Sequence, residues 1–431
     1  MDEALLQCVW QMRLYSPGPL TTIDGTAVEV LHPGLKNIAS GPDFANARVK
    51  IGNTLWAGDV EIHLKASDWH RHGHQNDRAY DKIILHVVAN SDTSIARHDG
   101  SAIPQIVITP DARLISKYHD LINRADIDVA CQDSLRALPP IVVSDWINAL
   151  AMQRIQAKAL RVNDLLAASN GDWEEAAYIT LARALGFGTN ADPMERLAKS
   201  LPLKIIRKHS DTLLSIEALL FGQAGLLNED KIRAHHPYFD TLATEYAFLA
   251  KKFSLRPSSL PLKTGGMRPT SSPHRRIALL ASIIYNNTSL CSSLANITDI
   301  DAARDLFATP LTGWWKDNYT FNHSDKQRAA GEVSESTLQL LIINSVVPFT
   351  TAYGMNHGDS QALAAAVDTL ENLPAERNRI VSAFTYCGIR CPDALTSQAL
   401  IHLRREYCEK RKCLDCRFGF RHLSSLKLSA L

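Results

Sequence analysis

The stretch GPDFANARVKIGNTLWAGDVEIHLKASDW, residues 41–69, decides how the first part of this chain is read. It contains two runs of strand character, 44–51 (FANARVKI) and 55–65 (LWAGDVEIHLK). Side chains along a strand alternate between faces. Val60, Ile62 and Leu64 therefore share an apolar face, while Glu61, His63 and Lys65 share the other, with Asp59 on the side of Glu61. If the two runs pair as neighbours, Asp43, at the start of the first, ends near Glu61. Two close carboxylates repel, and a divalent cation relieves that repulsion. Oxygen ligands favour Mg²⁺ or Mn²⁺. Such an ion orients a water and stabilises charge on a phosphate, and a basic neighbour, His63 or Lys65, holds the water or the developing charge.

The polar segment that follows, SDWHRHGHQNDRAYD (67–81), carries His70, His72, His74 and Asp77, and His86 comes on the next apolar run. Two arrangements follow from these residues. In one, His72, His74 and Asp77 add metal or phosphate contacts beside Glu61. In the other, the histidines form an independent zinc-type site with His63 and His86. Trp69 and Tyr80 are expected to pack the domain rather than stack on bases, and Gln75 and Tyr80 are further candidates for a phosphate contact.

Working outward, residues 2–15 carry Leu5, Leu6, Val9, Trp10 and Leu14 on one helical stripe, ended by SPGPL. LTTI, the turn DGT and AVEVL (20–31) read as a hairpin, followed by a Gly/Pro/Asn loop. KIILHVVA (82–89) and IPQIVI (103–108) read as further strands. From about residue 112 helical periodicity dominates, over 143–168, 173–186, 193–206, 211–227, 240–252, 274–290, 334–346, 360–370, 376–387 and 394–408. INSVVPFTTAYG (343–354) reads as a buried helix ended near Pro348, and 254–273 is the most linker-like stretch. Trp314-Trp315 reads as a helix-packing pair in preference to a stacking platform.

The chain has 431 residues and a net charge of +1, so any nucleic-acid surface must be local. Residues 402–427 offer one: eight Lys and Arg against three acids. No run of about 18 apolar residues predicts a membrane span. The start, MDEALLQCVWQMRLY, lacks the basic and apolar regions of a signal peptide, which predicts a cytoplasmic protein whose cysteines are thiols or metal ligands. Five of the eight cysteines fall in the last 45 residues. Cys408-x4-Cys413-x2-Cys416 contains a knuckle that places two thiolates on one ion, with Cys391, Cys387 or His422 as the fourth ligand and zinc as the first choice. Cys8, Cys131 and Cys291 sit in apolar or helical contexts and read as core residues.

Pro42-Asp43 at a strand start and Glu61-Ile62-His63 on the next strand resemble the PD-(D/E)xK, or restriction-endonuclease-like, nuclease superfamily. That resemblance implies Asp43 and Glu61 as metal ligands and Glu3 as a further acid on the first helix. His63 stands where the pattern has lysine, and Lys65 is a substitute on the same face. Some nucleases of the superfamily carry a cysteine-ligated [4Fe-4S] cluster near the chain end, which makes that cluster the second candidate at the C-terminal cysteines. GPDF (41–44), VEIH (60–63), SDWHRHGH (67–74), YDKIILHVV (80–88) and YCEKRKCLDC (407–416) also resemble an uncharacterised bacterial family, a domain of unknown function. The expected fold is α+β: a restriction-endonuclease-like α/β domain (1–110), a helical domain (111–386) and a cysteine-rich metal-binding segment (387–431). The expected function is metal-dependent phosphodiester hydrolysis of DNA or RNA, with His72 and His74 assisting. The alternatives are a non-catalytic nucleic-acid-binding scaffold and a His-rich zinc hydrolase of a small molecule.

Overall fold

The computed structural model describes residues 1–16, 18–37, 40–124, 128–227, 236–258, 261–267, 269–297, 299–321 and 333–428. The fold is α+β, an N-terminal mixed sheet followed by a mostly helical region. The chain divides into two compact units. One comprises Met1–Trp146, Ser382–Arg390 and Leu403–Leu431; the other comprises Ile147–Val381 and Cys391–His402.

The first unit opens with helix α1, Glu3–Met12. The Asp2 side chain accepts the N–H of Leu5 at 2.8 Å, capping one of the helix's free donors, and Arg13 ends it in the left-handed region. Leu5, Leu6, Val9 and Trp10 are buried, which leaves Glu3 and Gln7 on the rim of that face. The sheet contains β1 (Leu20–Thr21), β2 (Ala27–His32), β3 (Leu35–Lys36), β4 (Phe44–Ile51), β5 (Thr54–Lys65), β6 (Ile83–Asn90) and β7 (Gln105–Val107). Its order is β1-β2-β4-β5-β6-β7, with β3 paired to β4. Pairing is antiparallel from β1 to β5 and parallel from β5 through β7. The strands expected at 44–51, 55–65 and 82–89 are thus present and adjacent. The loop after the hairpin adds the short β3, and of the run 103–108 only Gln105–Val107 is strand.

Two antiparallel strands need only a turn, but a parallel pair needs a crossover. The β5–β6 crossover is the polar histidine segment, built as a short helix α2 (Asp68–Arg71) and two 3₁₀ turns (His74–Asn76 and Arg78–Tyr80). It has a small core of its own, Trp69, Tyr80, Ile83, Ile95 and Ile103, so Trp69 and Tyr80 are packing residues. The opposite face of the sheet presents Val60, Ile62, Leu85 and Val87 to a larger core that includes α1 and helix α3 (Ala112–Asn123). Strand alternation thereby turns Glu61, His63 and His86 toward the crossover.

In the second unit, helices Trp173–Gly186, Leu213–Gln223 and Pro273–Asn286 are nearly wholly buried. The helix expected over 193–206 is two, Ala191–Ser200 and Leu203–Arg207, because Pro202 has no N–H to continue the first. The helix expected to stop near Pro348 instead continues to Asn356: a π turn over Ile342–Val346 widens the helix just ahead of the proline. By length and composition Glu335–Asn356 could cross a membrane, and 61% of its apolar window is buried inside the chain. Trp315 is buried and donates its indole N–H to Tyr238 Oη at 2.8 Å, while Trp314 donates to the Thr320 carbonyl at 3.1 Å, so both pack. The linker-like stretch 254–273 lies in this unit, with residues 259, 260 and 268 outside the described residues.

Candidate metal centre

β4 and β5 clip their acids together. The backbone N–H of Asp43 donates to Glu61 Oε2 at 3.0 Å, and Asp43 Oδ2 accepts the N–H of Ile62 at 3.0 Å. Asp43 Oδ1 accepts the Gln7 amide at 2.8 Å, which ties the strand to α1. The pairing slips between Phe44 and Ala47, where Asn46 has a φ of 56° and its N–H donates to Asp59 Oδ1 at 3.1 Å. Such a bulge re-aims the strand that carries it. Burial, then the charges of Glu61 and Glu3, push the Asp43 carboxyl up to about 7. Burial, then Glu61, also raises Glu3. Three acids from α1, β4 and β5 thus act on one another, as the sequence implied for two of them.

Glu61 is 5% exposed, and its second oxygen faces the imidazoles. Glu61 Oε1 lies 3.5 Å from His63 Nε2 and 3.3 Å from His74 Nε2. His63 Nε2 in turn lies 3.2 Å from His72 Nδ1. The donor nitrogens of His63, His72 and His74 all fall within 4.8 Å of one another. For metal–ligand bonds of about 2.0–2.1 Å, a tetrahedron has edges of about 3.3–3.4 Å. The three measured separations are close to such edges; the mutually close trio is His63, His72 and His74, and Glu61 Oε1 adjoins it through His63 and His74.

A row of polar groups, His86 and then Gln105, runs behind His63. His63 Nδ1 and His86 Nε2 are 2.9 Å apart. On the far side of His86 is Gln105, its register partner on β7. The Gln105 amide nitrogen donates to Ser91 Oγ at 3.0 Å and to the Thr93 carbonyl at 3.2 Å, which leaves Oε1 for His86. Gln105 is the polar side chain facing His86 there, although His86 Nδ1 and Gln105 Oε1 are not hydrogen-bonded to each other. If Gln105 Oε1 closes on His86 Nδ1, it holds the proton on that nitrogen. His86 Nε2 then accepts from His63 Nδ1–H, and His63 Nε2 presents a lone pair to Glu61, His72 and His74. Ligand histidines are oriented by partners of this kind on their other nitrogen. Burial, then His86, pushes His63 down to about 2, and burial, then His74, pushes His86 down to about 3. Both are neutral at pH 7, the form that binds a metal.

Aromatic rings fix the crossover's side of the site. Tyr80 stacks on His74 with centroids 3.9 Å apart, and Trp69 meets His74 and His86 edge-on. His72 is exposed, so the cluster opens to solvent there. Other residues singled out in the sequence lie elsewhere. Lys65 is exposed at the end of β5, where its charge acts on Asp92. His70 is exposed, and Asp77 Oδ1 caps a turn by accepting the N–H of Ala79 at 2.9 Å. Asp68 is buried and pairs with Arg71 at 3.0 Å. Gln7 and Gln105 were not anticipated; the available signals were Gln7 four residues after Glu3 on one helix face, and a lone amide inside IPQIVI.

At the C-terminal cysteines, Cys408, Cys413 and Cys416 line one cavity, and the fourth thiol beside them is Cys131. Cys391 belongs to the other unit, with its sulfur 3.9 Å from the Asp393 carbonyl. Cys387 is buried near Arg136 and Asp133, and His422 Nδ1 bonds Ser134 Oγ at 2.5 Å.

A mixed sheet with a histidine-bearing crossover over a carboxylate pair defines an α+β protein with a metal-competent site. The chain belongs to a family described as a protein of unknown function (DUF2851), whose model matches residues 3–379. No curated protein and no solved structure matches the chain.

Proposed function

We propose that the protein is a metal-dependent hydrolase of phosphodiester bonds in nucleic acid, acting in the cytoplasm. The observation that carries the metal is the set of 3.2, 3.3 and 3.5 Å separations joining His63, His72, His74 and Glu61. His63, His72 and His74 would hold one divalent ion, with Glu61 Oε1 beside His63 and His74. Three imidazoles suit Zn²⁺ or Mn²⁺ better than Mg²⁺, which prefers oxygen. Such an ion, when bound, would supply a water of lowered pKa and neutralise phosphate charge. The phosphodiester substrate is what the resemblance of Pro42-Asp43 and Glu61-Ile62-His63 to the nuclease pattern suggests, and the closeness of Asp43, Glu61 and Glu3 supports it. Asp43, with a carboxyl pushed to about 7, is tuned for proton transfer near neutral pH. It takes the proton of the attacking water as the new P–O bond forms, and the ester P–O bond breaks with its electron pair going to the leaving oxygen, which is protonated from solvent. Lys65, exposed beyond the cluster, is left to contact the substrate backbone.

The test is cleavage of labelled single- and double-stranded DNA and RNA with added Zn²⁺, Mn²⁺ or Mg²⁺, using wild type beside Asp43→Ala, Glu61→Ala and His74→Ala. Metal-dependent cleavage by wild type that all three folded variants lose supports the reading. Wild-type protein that binds metal but cleaves no nucleic acid refutes it. The number of imidazoles favours a second reading, a zinc hydrolase of a small molecule. Turnover of a chromogenic phosphodiester without cleavage of any nucleic acid would select that one.

A further inference from the structure

A second set of metal-binding side chains lies in the same unit and shares no residue with the histidine centre. We propose that Cys131, Cys408, Cys413 and Cys416 together hold a [4Fe-4S] cluster, with Cys131 as the fourth ligand. All four thiols line one cavity of ≈ 220 Å³. Cys131 precedes the short helix α4 (Gln132–Leu135), Cys408 ends a π turn over Leu403–Cys408, and Cys413 and Cys416 flank the turn before the C-terminal helix Arg417–Leu428. The chain thus delivers ligands to one place from segments far apart in sequence.

The surroundings are built for thiolates. Cys131 lies within electrostatic reach of Cys416, Cys408 and Cys413. The backbone N–H groups of Gly419 and Phe418 and the Trp146 indole lie against the Cys416 sulfur. Trp146 Nε1 is buried beside that sulfur with no other partner of good geometry, and a metal-bound thiolate satisfies it. N–H groups aimed at ligand sulfurs and the charge around them are the levers that tune iron–sulfur clusters. Arg404 and Arg411 line the same cavity and offset the negative charge of a four-thiolate cluster. Gly419 is required by the knuckle: a Cβ there would lie 2.2 Å from the Cys413 carbonyl oxygen.

The spacing separates a cluster from a single ion. Four thiolates on one zinc, with Zn–S bonds of about 2.3 Å, stand about 3.8 Å apart. Among the described residues no three of these sulfurs fall within 4.8 Å of one another; only the three histidines do so. The ≈ 220 Å³ cavity that the four side chains line has room for a body several atoms across.

The experiment is anaerobic purification of the full chain, followed by iron, zinc and acid-labile sulfide analysis, visible absorption, and electron paramagnetic resonance after dithionite reduction. About four irons and four sulfides per chain are expected. Cys391→Ser is expected to keep them and Cys131→Ser to lose the visible absorption. Protein without iron or sulfide, even after reconstitution with both under anaerobic conditions, overturns the proposal, whether or not zinc is bound. A cluster retained in Cys131→Ser and lost in Cys391→Ser overturns the ligand assignment. If Cys131→Ser does not fold, the iron and sulfide content of the wild-type chain still decides.

Discussion

Gln105→Leu isolates the orienting chain behind the histidines, because Gln105 touches none of the proposed ligands directly. Leucine is close to glutamine in length, so little volume changes. It removes the two hydrogen bonds to Ser91 and Thr93 and the acceptor facing His86. Lost neutral hydrogen bonds cost about 0.5–1.5 kcal/mol each, so metal-free stability should fall by about 1–3 kcal/mol. The separate effect is on the ion. Without an acceptor at His86 Nδ1, the His86 proton is no longer held there and His63 Nε2 no longer reliably presents its lone pair. Removing an outer partner of a ligand histidine typically weakens metal binding about 10–100-fold, or about 1.4–2.7 kcal/mol. The assay is competition for Zn²⁺ and Mn²⁺ against a chelator of known affinity, beside thermal melts with and without metal. Gln105→Glu, which keeps an acceptor at that position, should retain more of the affinity than Gln105→Leu. Refutation is a folded Gln105→Leu protein that binds metal as tightly as wild type, since the proton chain would then have no hold on His63.

Three further outcomes follow from side chains already described. Asp43→Asn should lower metal-dependent turnover at least about 100-fold; it removes one of three mutually repelling acids but sets an NH2 against one of two donors, so the melting temperature should change little, and near wild-type turnover in the folded variant would deny Asp43 a catalytic role. In the second unit, Glu217 is buried, accepts the Tyr238 hydroxyl at 2.8 Å, and is pushed by burial up to about 7. The folded state then holds the proton more tightly than the unfolded chain, so stability is greatest below the ordinary carboxyl pKa and falls as pH rises toward 7, by up to about 3 kcal/mol; Glu217→Gln should flatten that slope and be the more stable protein at pH 8 in denaturant titrations. Gly419→Ala forces a methyl against the Cys413 carbonyl and should cost about 1–3 kcal/mol in thermal or denaturant unfolding; a neutral result would mean the knuckle can move away from the C-terminal helix.

What could be read from the sequence was what depends on short-range pattern. Alternation in VEIHLK separates Val60 and Ile62 from Glu61 and His63 whatever the rest of the chain does, and pairing of 44–51 with 55–65 then carries Asp43 to Glu61 without further information. The histidines of 67–81 were visible as a group with two alternative targets, Glu61 or His63 and His86, but which of these they meet was not. Only the parallel pairing of β5 with β6 makes that segment a crossover, and parallel pairing is invisible in local periodicity. The same limit explains Gln105, whose importance arises from β7 joining the far side of β6. It explains Cys131 as well: an apolar neighbourhood reads as core for a thiol, and no spacing rule connects residue 131 to a knuckle at 413–416. Pro348 shows the reverse case, where a strong local stop signal is overridden because a π turn absorbs the missing N–H while Val346, Val347, Phe349 and Ala352 stay buried. Local chemistry therefore marked which side chains were unusual, and long-range pairing decided which of them meet. Both candidate centres are built at such meetings: the histidine centre where a crossover folds back over a carboxylate pair, and the cysteine centre where residue 131 reaches the end of the chain.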